Sequence, residues 1–306
     1  MEHTNCLICD RDKTVDLFTG HDRLFGIDGF FNVVRCSRCG FVYLNPRPTI
    51  QEMRRYYPEH YYSLREWKEK IGFLRSRYRK LKWKDLSYGH ITRFPGVPRF
   101  IPHGKILDFG CGSGEVLHIF RNMGWSAYGV EIDESAAEFA RSRGLDVFHE
   151  DLKSIHFPDN HFDVIRMRSV LEHLHDVPAI LDEFYRILKK GGQLLLIVPN
   201  IDSLEFKLFR EKWYSLDIPR HIYHFSIKSL KNLLEKFRFH DLSFRTCGGS
   251  RSFLASIDYL LNEKRGSSGL RLANKIYLRI PAFLMFSLWL NILRCGNLIE
   301  AQAYKT

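Results

Sequence analysis

No apolar run in this 306-residue chain reaches the roughly 18 residues that a membrane-spanning helix needs. The opening Met1-Glu2-His3-Thr4-Asn5-Cys6 also lacks the basic and then apolar pattern of a secretory leader, so a cytoplasmic location is expected. Two nucleotide-binding turns are missing from the glycine-rich stretch Gly110-Cys111-Gly112-Ser113-Gly114-Glu115. A dinucleotide turn requires glycine where Glu115 stands, and no Gly-Lys-Ser/Thr follows to hold a triphosphate. Acidic residues are in short supply, 35 against 46 Lys and Arg, and the net charge of +11 keeps nucleic acid and anionic membrane open as partners. Apolar residues are not short. At 45% of the sequence they can build a full core, one α/β domain with a smaller attachment.

Cysteine is present in an odd number, seven, and four of these form two C-x-x-C pairs. In a reducing compartment this spacing points to metal rather than disulfides, because each pair turns both thiolates toward one tetrahedral ion. A structural zinc on Cys6, Cys9, Cys36 and Cys39 is expected, in a small β-ribbon with strands at Phe30 to Arg35 and Phe41 to Leu44. A redox pair and an iron–sulfur cluster are the competing readings.

From residue 105 onward the hydrophobic periods alternate between strand and helix, which predicts a parallel sheet with crossover helices and a ligand at the C-terminal strand ends. Lys105 to Phe109 is the first strand. The glycines that follow at 110, 112 and 114 leave the backbone free of Cβ atoms, as a cofactor cradle requires. The second strand, Ser126 to Ile132, ends at Glu131, where an acid can accept hydrogen bonds from ribose hydroxyls. A third strand near Asp146 to His149 leads to Asp151-Leu152, where an acid can accept from an adenine amino group. Phe157 to Ile165 gives a turn and a fourth strand, continued by Arg166 to Leu174. A helix from Pro178 to Leu188, a turn at Lys189 to Gly192 and a strand from Gln193 to Val198 follow, and His240 to Thr246 and Leu298 to Tyr304 read as the last two strands.

With Asp108 two residues ahead of the first glycine, the motif resembles the D-x-G-x-G-x-G signature of class I S-adenosylmethionine (SAM) dependent methyltransferases. The run Val170-Leu171-Glu172-His173-Leu174 resembles that family's V-L-E-H-L helix, and the strand ending in Pro199-Asn200 resembles its fifth strand, in the same order. The resemblance implies an α/β fold, a Rossmann-like seven-stranded methyltransferase sheet with a small N-terminal zinc-ribbon module. It implies SAM held by Asp108, Gly110, Cys111, Gly112, Gly114, Glu131, Ile132, Asp151, Leu152 and Arg168. Four-cysteine modules precede the catalytic domain in a subset of bacterial members, including sugar C-methyltransferases, and Cys39 to Pro48 is similar to theirs. The expected domains are a zinc-binding module at 1–48, a helical basic connector at 49–100 and a methyltransferase domain at 101–306, with a hydrophobic insertion at about 251–296.

Methyl transfer from a sulfonium is an in-line displacement, and a hydroxyl or carbon acceptor must also lose a proton. His221 and His224 are the candidate bases and Asp217 their orienting partner, in a segment from Trp213 to Ser226 that resembles the family's P-R-H-x-x-H-F-S run and is expected to be a substrate-covering loop. His173 and His175 read as structural. Arg166 and Arg168 alternate along the fourth strand and either pair with a carboxylate such as Glu172 or bind a phosphate or carboxylate of the substrate. The expected acceptor is an oxygen or carbon on a small molecule, sugar or lipid-linked precursor.

Residues 65–84 carry nine basic against two acidic side chains, a local net of +7, with Trp67, Ile71, Leu74, Tyr78 and Leu81 on one helical face. This face either docks on the protein or lies on anionic lipid. The apolar stretch 276–294 is too short to span a bilayer and is open to three readings: core helix, dimer contact or in-plane membrane anchor. A reading from another class is a zinc-containing nucleic-acid-binding protein, or an RNA methyltransferase, that uses 65–84. Against amino-group methylation of nucleic acid, no Asn/Asp-Pro-Pro-Tyr follows the fourth strand, where Arg168-Ser169-Val170-Leu171 stands.

Overall fold

The computed structural model of the chain describes residues 1–58, 96–248, 250–261 and 295–306. The basic segment 65–84 and the apolar stretch 276–294 lie outside the described residues. The chain clusters into two compact units. Of the described residues, the first takes 1–58, 169–177 and 197–301, and the second takes 96–168, 178–196 and 302–306.

In the first unit, β1 (Thr14–His21), β2 (Phe30–Cys36) and β3 (Val42–Leu44) form an antiparallel ribbon. The two strands expected from sequence are present, with a third, β1, ahead of them. Buried Phe31 and Val33 alternate with exposed Phe30 and Asn32 along β2, the period of a half-buried strand. The chain then enters a short helix, α1 (Ile50–Met53), through a capping box between Thr49 and Glu52.

In the second unit, β4 (Lys105–Phe109) passes through the glycine turn into α2 (Glu115–Asn122), followed by β5 (Ser126–Val130), α3 (Glu134–Ser142), β6 (Asp146–Phe148) and β7 (Phe162–Arg168). Strand β4 runs parallel to both β5 and β7, and β5 runs parallel to β6. Ile106 and Val164 on the strands pack with Leu117 and Phe120 of α2 and with Ala137 and Ala140 of α3. Full burial of each Leu, Ile or Phe side chain contributes about 1.5–3 kcal/mol. Asp133 starts α3 by accepting the Ala136 N–H at 2.7 Å.

Further along the chain come α4 (Val177–Ile187), β8 (Leu188–Pro199), α5 (Leu204–Phe209), β9 (Tyr223–His224), α6 (Ile227–Lys236), β10 (Phe239–Cys247), α7 (Ser250–Leu261) and β11 (Leu298–Lys305). The larger sheet has seven strands in the order β10-β11-β8-β7-β4-β5-β6, as the resemblance implies. The smaller sheet is β1-β2-β3-β9, because β9 pairs with β3. No described helix is long and apolar enough to cross a membrane.

Three local expectations are corrected. The segment Leu171–His173 forms a single 3₁₀ turn rather than part of an α-helix, because the Glu172 carbonyl accepts the N–H of Ile222 at 2.9 Å, a tertiary bond in place of a helical one. Lys189 to Gly192 belongs to β8 and is not a turn; the Lys189 ammonium is held by Asp163 at 2.8 Å. The segment from Trp213 to Ser226 is not an open covering loop. Trp213, Arg220, Ile222 and Phe225 are all within 1% of full burial, and the segment feeds β9.

Candidate functional site

The glycine turn of the second unit is built for close approach. Gly110, Gly112 and Gly114 take φ values of +76°, +55° and +77°, the left-handed region that only glycine enters without strain. A Cβ on Gly112 would meet nothing within 4 Å, so the turn carries an open, side-chain-free face. Its N–H groups are used internally. Gly110 and Cys111 donate to the Val130 carbonyl at 2.8 and 3.2 Å, Gly114 donates to the Cys111 carbonyl at 3.1 Å, and Gly112 donates to Glu131 Oε2 at 2.7 Å. A phosphate cradle directs such groups outward to the anion. This turn offers smooth backbone instead, which suits a cofactor without phosphate.

Glu131 is 5% exposed, and its second oxygen accepts the Asp133 N–H at 2.9 Å. Burial raises its pKa against the pull of these backbone donors. An ionised carboxylate has about four acceptor positions, so roughly two remain for ribose hydroxyls. The next residue, Ile132, is 81% exposed, an apolar side chain offered to an adenine ring. Asp151 Oδ1 accepts the Lys153 N–H at 2.9 Å in a local turn, and Leu152 is buried in the core. The Cys111 thiol faces β5, since a Cβ on Gly129 would stand 2.5 Å from its sulfur; burial pushes this thiol up, leaving the backbone as its contribution to the turn. The open face at Gly112, the remaining acceptor positions of Glu131 and the exposed Ile132 fit a cofactor such as SAM, whereas Leu152 is buried away from that face.

Asp108 has a partner that the sequence did not reveal. Arg166 Nη1 bonds its Oδ1 at 2.5 Å, and the same guanidinium donates through Nε to the Gly96 carbonyl at 3.0 Å. Burial raises the Asp108 carboxyl while Arg166 opposes the shift. Arg166 thus pairs with a structural carboxylate, Asp108 rather than Glu172, and Arg168 is exposed at the end of β7.

The first unit contains a second, separate centre. Glu172 is fully buried, and neither of its side-chain oxygens has a hydrogen-bond partner among the described residues. His221 faces it, with Nε2 3.9 Å from Glu172 Oε1 and 3.9 Å from Asp217 Oδ2. The His221 Nδ1 sits 2.9 Å from the Ser215 carbonyl. His173 Nδ1 lies 3.0 Å from the Arg220 carbonyl and 2.9 Å from the Tyr57 hydroxyl. A carbonyl can only accept, so both Nδ1 atoms carry the hydrogen and both lone pairs lie on Nε2. The two rings stand edge to face with centroids 4.5 Å apart.

Arg220 organises this centre. Its guanidinium is wholly buried, bonds Asp22 Oδ1 at 2.6 Å and Asp217 Oδ1 at 2.7 Å, and donates to the Tyr56 carbonyl at 3.0 Å. Burial pushes the Asp217 carboxyl up, but Arg220 together with His221 and His173 outweighs it, and the carboxyl stays below its ordinary range. Burial lowers His221 to about 4 and His173 to about 3, so both rings are neutral at pH 7, and it raises Glu172 to about 8. His224 is 2% exposed on β9, its Nε2 has no partner, and burial alone lowers it to about 4. It does not join the convergent set. His173, read from sequence as structural, does join it, and the i,i+1 pair Glu172-His173 was the available signal.

Four cysteine sulfurs converge in the ribbon. Cys6 and Cys39 are 3.4 Å apart, Cys9 and Cys36 are 3.5 Å apart, and all four lie within 4.8 Å of one another. Four thiolates at about 2.3 Å from a tetrahedral zinc stand about 3.8 Å apart, close to this spacing. Burial raises Cys6, whereas backbone donors overcome burial at Cys36 and bring it to about 7.

A methyltransferase domain family model matches residues 58–243. An uncharacterised protein of Methanocaldococcus jannaschii is 27% identical over 167 residues, 55% of this chain and 77% of that protein. Phosphoethanolamine N-methyltransferase 1 of Arabidopsis thaliana is 32% identical over 127 residues, 38% of this chain; the match spans only about a quarter (26%) of that enzyme. Among solved structures, a SAM-dependent methyltransferase from Archaeoglobus fulgidus aligns over 76% of this chain and 93% of its own, with 22% identity and a TM-score of 0.47.

Proposed function

The chain belongs to the methyltransferase domain family and is a SAM-dependent methyltransferase, and we propose that it methylates an oxygen or carbon of a small-molecule, sugar or lipid-linked acceptor. On this reading SAM lies on the glycine turn, with Glu131 on its ribose, Ile132 and Asp151 at its adenine, and Arg166 fixing Asp108 below. SAM supplies the electrophilic methyl group; the chain supplies position, exclusion of water and a route for the acceptor's proton.

The observation that carries the acceptor class is the cluster of buried Glu172 and His221 with partly buried His173 and Asp217. A neutral amine can attack a sulfonium without help, whereas a hydroxyl or an acidic carbon needs its proton removed. Three clustered groups with unused lone pairs, two of them buried, suit the second kind of acceptor. His221 is the candidate catalytic residue, with His224 behind it on β9 and Asp217 orienting it. Arg168 is proposed to meet an anionic group on the acceptor, and the four cysteines to hold a structural zinc.

The test is His221→Ala in the full chain, with methyl transfer from labelled SAM and SAM affinity measured separately. Turnover is expected to fall about 10²–10⁴-fold, the size of a lost general acid–base contribution, while the SAM Kd changes less than about threefold. Equal losses in both would reject His221 as an acceptor-activating residue.

A further inference from the structure

We propose that Glu172, His173 and His221 form a binding site for a first-row divalent metal ion, of the Mn²⁺, Fe²⁺, Co²⁺ or Zn²⁺ class. One ligand atom from each of the three lies within 4.8 Å of the others, and the His221 Nε2 to Glu172 Oε1 distance is 3.9 Å. Ligands held about 2.0–2.2 Å from an ion stand about 3–3.5 Å apart, so closure on a metal requires side-chain shifts of about 1 Å.

Three features favour an ion over a bare polar cluster. Both imidazoles are oriented by backbone carbonyls, Ser215 O at 2.9 Å and Arg220 O at 3.0 Å, which fix the hydrogen on Nδ1 and aim the Nε2 lone pairs away from them. This is the outer-shell arrangement found behind metal-ligating histidines. Glu172 has both oxygens buried and unpartnered, which is costly for an ionised carboxylate. A single proton on Glu172 would satisfy the carboxylate but serve at most one imidazole, whereas one cation serves all three groups at once.

The donor set also selects the ion. Two nitrogens and one carboxylate suit first-row transition ions; Mg²⁺ and Ca²⁺ prefer all-oxygen surroundings. The thiolate cluster of the ribbon has the opposite, softer character and discriminates against Mn²⁺. Asp217 borders the site, 3.9 Å from His221 Nε2, with its Oδ1 held by Arg220. An ion here would lower the pKa of an acceptor hydroxyl or enol bound to it, and His221 would then serve the acceptor's deprotonation as a ligand of that ion. That use rests on the methyltransferase reading, but the binding of the ion does not.

Full-length chain, stripped of metal and reloaded with one equivalent of zinc for the cysteine ribbon, is titrated with Mn²⁺ and followed by the paramagnetic resonance signal of the free ion. One Mn²⁺ per chain is expected. Glu172→Gln and His221→Gln should each weaken binding by at least about tenfold, with folding checked by circular dichroism. If one variant does not fold, the other supplies the same comparison. No stoichiometric Mn²⁺ binding by a wild-type chain that still binds SAM would overturn the metal site and leave the methyltransferase reading standing. Binding that both variants retain unchanged would overturn it equally.

Discussion

Asp108 and Glu172 are equally buried, at 1% and 0% exposure, and they keep opposite company. Asp108 meets the Arg166 guanidinium at 2.5 Å, whereas the Glu172 side chain has no hydrogen-bond donor among the described residues. A buried carboxylate with a matched cation is a finished piece of framework: the pair holds the end of β4 against β7 and anchors the glycine turn. A buried carboxyl without a partner among the described residues has kept its acceptor capacity. Equal burial therefore leaves one acid committed to the framework and the other open to a ligand.

Removing the partner should give the largest effect. Arg166→Met leaves Asp108 enclosed and uncompensated, and should lower unfolding stability in urea by about 3–5 kcal/mol. Glu172→Gln breaks no ion pair, and near pH 4.5, where the Glu172 carboxyl is still protonated in the folded chain, it should change stability by less than about 1 kcal/mol. Equal losses in the two variants would end the distinction. The next effect is a slope. In metal-free chain the Glu172 carboxyl has a pKa of about 8 when folded, against 4.5 ordinarily, so the folded state binds more protons between these values. Its contribution is complete below about pH 4.5 and is lost as pH rises through about 8, at up to about 1.4 kcal/mol per pH unit. Glu172→Gln should remove this component when wild type and variant are unfolded side by side from pH 5 to pH 8. The smallest effect belongs to Arg168→Ala. This neighbour of Arg166 on the same strand is exposed, so stability should move by less than about 0.5 kcal/mol while KM for an anionic acceptor rises. A destabilisation comparable to Arg166→Met would show that both arginines are framework.

The sequence made the local and periodic features legible. Glycine at alternate positions, the acid at the end of β5, the cap at Asp133 and the two C-x-x-C pairs each lie within a few residues of what they organise, so spacing alone placed them. What it hid depended on distant partners. The Arg166 side chain reaches Asp108, 58 residues earlier, and Gly96, 70 residues earlier. Glu172 and His221 are 49 positions apart and are brought together by the Ile222 to Glu172 backbone bond, the same bond that turned an expected helix into a single 3₁₀ turn. The histidine segment read as a loop because its aromatic, basic and proline residues match no single period. Its burial follows from Arg220 and two aspartates, one of them 198 residues away.

The pairing of β9 with β3 has a practical consequence for anyone shortening this chain. Tyr223 and His224 take their ladder partners from Tyr43 and Val42, and Phe41 lies with its ring centroid 5.8 Å from that of Tyr223 and 5.5 Å from that of Phe225. A fragment trimmed to begin after the cysteine ribbon would expose an unsatisfied strand edge beside two bare aromatic rings, the combination that drives edge-to-edge self-association. Such fragments belong in inclusion bodies rather than in solution, and the ribbon serves as an internal guard against aggregation as well as a home for its four thiols.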